Sequence, residues 1–368
     1  ANSDHPAGRS VIREYASVVD EPGDAKIDTW CDGFDIAPVY LFLRNRCYIA
    51  DESKSPMKAV RCCEKHVQVL DIPPPAGEGV KVKVRSAGIC SSDLHMIAAG
   101  FELPATLGHE VAGTLTDGTA VALEPIAPCG HCDMCVQGDY HLCRLGAGMV
   151  HGVALDGGMA EYILVPERCI VMLPNNVSAA DACLVEPLAV AMHGIRMLTL
   201  APRSRVAIIG AGAVGLCAAA VLTSHVNTVD IAARHDAQKL AAEQLGAGLV
   251  VDGEYDVVVE CAGNSRALAQ AAQHCKPGGT IVLLATYWEG VTLPAFEVGM
   301  KNLKIYASSL YGRQGLVRDV EVAAQLLAER TDLAGLLITH RLPLEAAPEA
   351  FAIAANRQQG AIKVVLEP

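Results

Sequence analysis

Aromatic residues are scarce in this 368-residue chain, at 4%, which argues against an aromatic-rich β-sandwich. Basic residues are also in deficit. Lys and Arg number 29 against 41 Asp and Glu, a formal net charge of −12. A surface built for nucleic acid or an anionic membrane carries the opposite balance, so neither is expected as a partner. Charged residues amount to only 19%, beside 51% hydrophobic residues. That excludes a disordered chain and leaves ample material for a core. No internal repeat, low-complexity tract or signal-peptide pattern is visible. One stretch of eighteen residues without a charge, Val206 to Thr223, is interrupted by Gly210, Gly212 and Gly215. It reads as buried strand, turn and helix, not as a membrane span.

What the chain does have is thiols and glycine: 14 Cys and 33 Gly. The length excludes a small disulfide scaffold, so reduced, partly metal-bound thiols in a cytoplasmic protein are the expectation. Residues 1–56 hold six of the sixteen aromatics and no sustained period, and read as an N-terminal extension of unknown role. From Met57 to about 186 the pattern is β-rich. Val67-Gln68-Val69-Leu70 and Val80-Lys81-Val82-Lys83-Val84 alternate as half-buried strands do. From 187 to 307, short apolar runs (Val206–Ile209, Val257–Val259, Ile281–Leu284) alternate with Ala-rich helical stretches. That is the pattern of βαβ units and a parallel sheet. A helix at about Arg318 to Glu329 and a strand at Ile362–Leu366 follow within 308–368.

Cys129, Cys132, Cys135 and Cys143 lie close enough in sequence to fold one loop around a tetrahedral zinc. Four sulfurs leave no open position, so this zinc would be structural. A nucleic-acid zinc ribbon is the competing reading, and the neighbouring Asp133, Asp139 and Glu124 offer it no basic cluster. Cys90, His109 and Glu186 are distant candidates for a second site. Glu186 sits in the apolar run Leu184-Val185-Glu186-Pro187-Leu188, where an ionised carboxylate needs a partner. A thiolate, an imidazole and one or two carboxylates plus water make an open zinc site of Lewis-acid character. Ser92 and His95 follow Cys90 closely and are candidates to pass a proton to solvent. Asp93 is a candidate to orient a ligand imidazole. The competing reading of Ser91-Ser92-Asp93 is a capped turn opening a short helix.

Val206-Ala-Ile-Ile-Gly210-Ala-Gly212-Ala213-Val214-Gly215 is a strand running into Gly-x-Gly-x-x-Gly and an Ala-rich helix. This is the dinucleotide fingerprint, with phosphates at the helix N-terminus. The acidic residue that would bind a ribose 2′-hydroxyl is replaced at the expected spacing by Ala233, and Arg234 follows. A guanidinium in place of a carboxylate suits a 2′-phosphate, so NADP is expected over NAD, with His235 and Lys239 assisting. Asp230, earlier in the strand, is the competing ribose ligand, and a solvated loop charge is the competing reading of Arg234.

Taken together, Gly88-Ile89-Cys90-x-Ser92-Asp93-x-His95, Gly108-His109-Glu110, the four-Cys lobe, Glu186-Pro187-Leu188 and the glycine motif resemble the zinc-containing medium-chain dehydrogenase/reductase family, of the alcohol, sorbitol and threonine dehydrogenase type. The likeness covers about Met57 to Pro368. It implies an α/β enzyme of two parts: a GroES-like catalytic domain over 57–186, and a doubly wound Rossmann domain over 187–307. Residues 308–368 would return to the catalytic domain. The resemblance implies that Cys90, His109 and Glu186 surround a catalytic zinc, with Glu110 a direct ligand or an exchanging neighbour. Ser92 and His95 would relay the proton. Cys261 and Ala285 would lie at strand ends flanking the nicotinamide. Glu186 stands where the alcohol dehydrogenase branch has a second Cys, which looks more like the polyol and threonine branch. The implied reaction is hydride exchange between a secondary alcohol, polyol or sugar (or the matching carbonyl) and the cofactor, in a homodimer or homotetramer. A non-catalytic redox sensor or scaffold is the alternative. Phe101, Tyr287, Trp288 and Tyr311 are candidate pocket residues. The stretch from Val111 to Pro128 is shorter than the family's usual hairpin.

Overall fold

The structure is a computed structural model that describes residues 55–368. The extension expected over 1–56 therefore lies, its last two residues apart, outside the described residues.

Two sheets organise the molecule. The first has seven strands, in the order Ile338–Pro343, Lys363–Glu367, Val80–Gly88, Glu110–Thr114, Ala120–Leu123 and Ile170–Met172, with Tyr162–Val165 also paired to Val80–Gly88. The alternation at Val80–Gly88 works as its pattern suggests: Val82 and Val84 are buried while Lys81 and Lys83 face solvent. Their core partners include Leu107, Met159, Ile163, Val165, Phe351 and Leu366. Met57–Cys63 and His66–Ile72 form a separate antiparallel pair. The short run after Val111 still closes a hairpin, with Ala112 opposite Ala122. Lys363–Glu367 pairs antiparallel with Val80–Gly88, bringing Val365 opposite Gly88.

The second sheet has five parallel strands, in the order Lys304–Ala307, Cys275–Leu283, Tyr255–Glu260, Arg205–Ile209 and Thr228–Ala232. Its central strands carry the apolar runs Val206–Ile209, Val257–Val259 and Ile281–Leu283, as strands covered on both faces do. Val206–Thr223 divides as its glycines suggest, into Arg205–Ile209 and the helix Ala213–Leu222. Gly210 sits at φ +108° between them, a conformation that side chains disfavour. At Gly215 a Cβ would fall 1.9 Å from the Gly210 carbonyl oxygen, so only glycine lets the helix approach the strand. No helix among the described residues is long and apolar enough to cross a membrane. The helix Asp319–Glu329 packs through Val320, Ala323 and Leu327 into the same core as Leu188, Val206 and Leu216.

Candidate active site and cofactor cleft

The helix Ser91–Ala99 begins at Cys90, not at the serines. Cys90 is its N-cap, and its backbone N–H donates to Asp93 Oδ2 at 3.0 Å. The Ser92 N–H points at the Cys90 sulfur at 3.5 Å. Asp93 is fully buried, and its other oxygen lies 3.5 Å from His109 Nδ1. The opposite ring nitrogen, Nε2, faces Ser92 Oγ at 3.4 Å. Asp93 thus stands behind the imidazole, as an orienting carboxylate would.

Ligand atoms of Cys90, His109 and Glu110 lie within 4.8 Å of one another. Burial alone would lower the His109 pKa, but the Asp93 and Cys90 charges hold it well above its ordinary value. A sulfur, an imidazole and a carboxylate at this spacing are a donor mixture that suits zinc. Glu186 lines the same cleft but is not within that three-residue group. Burial pushes its pKa up to about 7, opposed by His109, Lys363 and a hydrogen bond from Tyr311. Glu110 is also engaged by Lys363, whose role the sequence reading missed because 253 positions separate the two.

The four-cysteine lobe closes on itself. The Cys129–Cys135 and Cys132–Cys143 sulfurs are 3.9 Å apart, and Cys129–Cys143 3.6 Å. A tetrahedron with Zn–S about 2.3 Å has S···S edges of about 3.8 Å, so the donors fit zinc in number, type and spacing. Backbone N–H groups, that of Arg144 foremost, pull the Cys132 pKa down to about 6. Tyr140 fixes the lobe to the body by donating to Glu124 at 2.5 Å and to the Gly312 carbonyl at 3.2 Å. Arg318 completes the contact on the other Glu124 oxygen at 2.9 Å.

A cleft of about 400 Å³ runs along the parallel strands, lined by Gly210, Gly212, Ala233, Arg234, His235 and Cys261, among others. Gln238 Oε1 accepts from the Arg234 and His235 backbone N–H groups at 3.3 Å, which fixes the turn that carries Arg234. Lys239 is not among the residues lining this cleft; its ammonium turns to Asp236 at 3.1 Å. Asp230 also faces elsewhere, accepting from the Tyr255 hydroxyl at 2.9 Å. Gly215 lies beneath the turn and does not line the cleft.

The second cleft, of about 350 Å³, brings Cys90, Ser92, His95, His109, Glu110 and Glu186 together with Ala213, Val214, Cys261 and Ala285. Trp288 lines it and stacks on His95, with ring centroids 5.7 Å apart. Tyr311 lines it too. Phe101 does not; it meets Trp288 edge-on at 6.1 Å. Tyr287 is likewise drawn away, donating to Glu260 at 2.7 Å. Glu260 is fully buried and accepts from the Ala262 and Gly263 N–H groups, which fixes the turn beside both clefts.

Residues 76–175 match the alcohol dehydrogenase GroES-like domain, and residues 179–367 match the glucose dehydrogenase C-terminus. The chain is 30% identical to D-xylulose reductase A of Aspergillus oryzae, over 74% of this chain and 85% of that protein. This chain belongs to the zinc-containing medium-chain dehydrogenase family. It is 30% identical to galactitol 1-phosphate 5-dehydrogenase of Escherichia coli, over 78% of this chain and 92% of that one. Among solved structures it is similar to a zinc-binding dehydrogenase from Sinorhizobium meliloti bound to NADP. That similarity has a TM-score of 0.75 and 29% identity, over 86% of this chain and all of the other. As a family member the chain is an oxidoreductase that exchanges hydride between a small alcohol or carbonyl and a nicotinamide cofactor.

Proposed function

We propose that this dehydrogenase oxidises a polyol, sugar or other secondary alcohol, or reduces the matching carbonyl, with NADP as the preferred cofactor. One observation carries the reading: the Cys90, His109 and Glu110 donors share a cleft with Ala213, Val214 and Ala285 at the ends of the parallel strands. Such a cleft holds reacting alcohol and nicotinamide together. Zinc held by Cys90 and His109, with Glu110 and Glu186 beside it, would supply Lewis-acid polarisation of the substrate oxygen. Cys129, Cys132, Cys135 and Cys143 would hold the structural ion. A nicotinamide bound beside Ala213, Val214 and Ala285 would supply the hydride acceptor for the alcohol carbon. The hydroxyl proton would pass to Ser92 and, by way of the cofactor ribose, to His95, which is exposed to solvent. Asp93 keeps the His109 ring turned to the site.

The Ala233–Arg234 pair at the adenosine end supports NADP, because no carboxylate lines that cleft among the described residues. The partition into 57–186, 187–307 and a returning 308–368 is supported by the pairing of Lys363–Glu367 with Val80–Gly88. We place the protein in a reducing, cytoplasmic setting, consistent with the free thiols among the described residues. A homodimer or homotetramer is supported by the edge strand Lys304–Ala307 with exposed Tyr306, Phe296 and Met300 nearby, and sedimentation of the full chain tests it.

The test of activity is a screen of polyols, sugars and simple ketones with zinc-loaded protein and either cofactor, following the absorbance of reduced nicotinamide. Turnover favouring NADP and abolished by Cys90→Ser is the expected outcome. Cofactor binding without turnover of any alcohol or carbonyl would overturn the reading.

A further inference from the structure

The two clefts meet at four residues that line both: Gly212, Cys261, Ala262 and Arg357. A dinucleotide with its adenosine in the first cleft and its nicotinamide in the second must pass its pyrophosphate through that junction. Gly212, Cys261 and Ala262 offer it backbone and a thiol. Arg357 offers a guanidinium.

Arg357 belongs to the turn Arg357–Gln359, which follows the helix Ala347–Ala355. That helix packs through Ala347, Ala350 and Phe351 into the core of the seven-stranded sheet. The cation therefore comes from the half of the molecule opposite the glycine turn. Its Nη1 lies 3.6 Å from where a side chain at Gly212 would begin. It is the sole Lys or Arg lining the second cleft among the described residues. Its guanidinium has no carboxylate or hydrogen-bond partner among them either. The helix Ala213–Leu222 opens at Gly212 with no side-chain cap and no acidic residue in its first turn. Its leading N–H groups supply only a fraction of a charge, and a pyrophosphate brings two negative charges.

We propose that Arg357 is the cationic clamp of the cofactor pyrophosphate, reaching across from the seven-stranded half to the Gly210–Gly212 turn. Guanidinium and phosphate oxygens match in a planar, two-point contact. The phosphate is then held between groups from both halves, so the same contact draws the cleft shut over the nicotinamide. The proposal rests on the dinucleotide reading above.

The experiment compares full-length, zinc-loaded parent, Arg357→Gln and Arg357→Lys by fluorescence titration. The probes are NADPH, NADH, ADP-ribose and adenosine 2′-phosphate, which lacks the pyrophosphate. Loss of one charge-assisted contact predicts that Arg357→Gln weakens both dinucleotides and ADP-ribose by about 10- to 100-fold, leaves adenosine 2′-phosphate within about twofold, and is partly rescued by Lys. Arg357 is exposed, so an unchanged melting temperature is expected alongside. Unchanged affinity for ADP-ribose, or an equal loss for adenosine 2′-phosphate, overturns the clamp while leaving the dinucleotide reading intact. A parent that binds neither NADPH nor NADH overturns that reading, and the clamp with it.

Discussion

Lys363 donates to both carboxylate oxygens of Glu110 at 2.5 Å, with both side chains buried. The same ammonium reaches the Ile89 carbonyl at 3.2 Å, one residue before Cys90. Burial alone would lower the Lys363 pKa, but Glu110 and Cys90 hold it above the ordinary value. Lys363→Met strands a buried carboxylate, so it should cost about 3–5 kcal/mol in urea unfolding. Pairing it with Glu110→Gln should recover most of that loss. Additive losses in the double variant would show that the two side chains do not act as a pair.

The two thiol sites should separate in a metal assay. Parent protein dialysed against a weak chelator is expected to keep two zinc ions per chain. Cys132→Ser should keep one and melt at lower temperature, because a closed four-sulfur site contributes to folding. Cys90→Ser should lose turnover yet still bind NADPH. A parent with a single zinc ion would contradict the two-site account.

Arg234 and Asp230 sit on the same strand and turn but should behave differently. Arg234 lines the first cleft, whereas Asp230 is tied to the Tyr255 hydroxyl. Arg234→Ala should weaken NADPH by about 10- to 100-fold and leave NADH nearly unchanged. Asp230→Asn should lower stability without altering the ratio of the two cofactors. A switch of preference in Asp230→Asn would restore it as the ribose ligand.

Asp319 provides a pH signature. Burial works against its ionisation, yet His193 at 2.8 Å, the Gly312 N–H at 2.9 Å and Arg196 at 2.5 Å hold its pKa below 3.8. A carboxylate depressed in the folded state stabilises fully above its unfolded pKa, and that stability is lost as pH falls through the lower folded value. Asp319→Asn should therefore cost about 1.5–3 kcal/mol at neutral pH. The gap between parent and variant should shrink below about pH 4. A gap that persists undiminished in acid would mean that the carboxylate's charge is not what stabilises.

Some of this site was legible because its determinants are local. Four cysteines within one loop carry their own geometry, and Gly210, Gly212 and Gly215 mark a turn whose sterics leave few alternatives. Cys90 and Asp93 cap one short helix, so their spacing already places them together. Other features were hidden because they arise only when remote strands pair. Lys363 reaches Glu110 through the pairing of Lys363–Glu367 with Val80–Gly88. Arg357 reaches Gly212 because of how the two sheets sit across the cleft. Glu186 drew a correct demand for a partner, but the Tyr311 hydroxyl shares that role with charged neighbours. Spacing along a helix does not say which way a long side chain leans, and Lys239 pairs with Asp236 outside the cleft lining.

The pairing of Lys363–Glu367 with Val80–Gly88 also makes the site around Cys90 depend on two distant stretches of the chain. The five-stranded sheet is contained in the chain between those partners. The strand that brings Lys363 to Glu110 must bridge 253 positions. A chain halted before that closure would present a finished glycine turn, while the donors around Cys90 still lacked their anchoring lysine. The donors around Cys90 thus depend on the strand Lys363–Glu367 for their anchor.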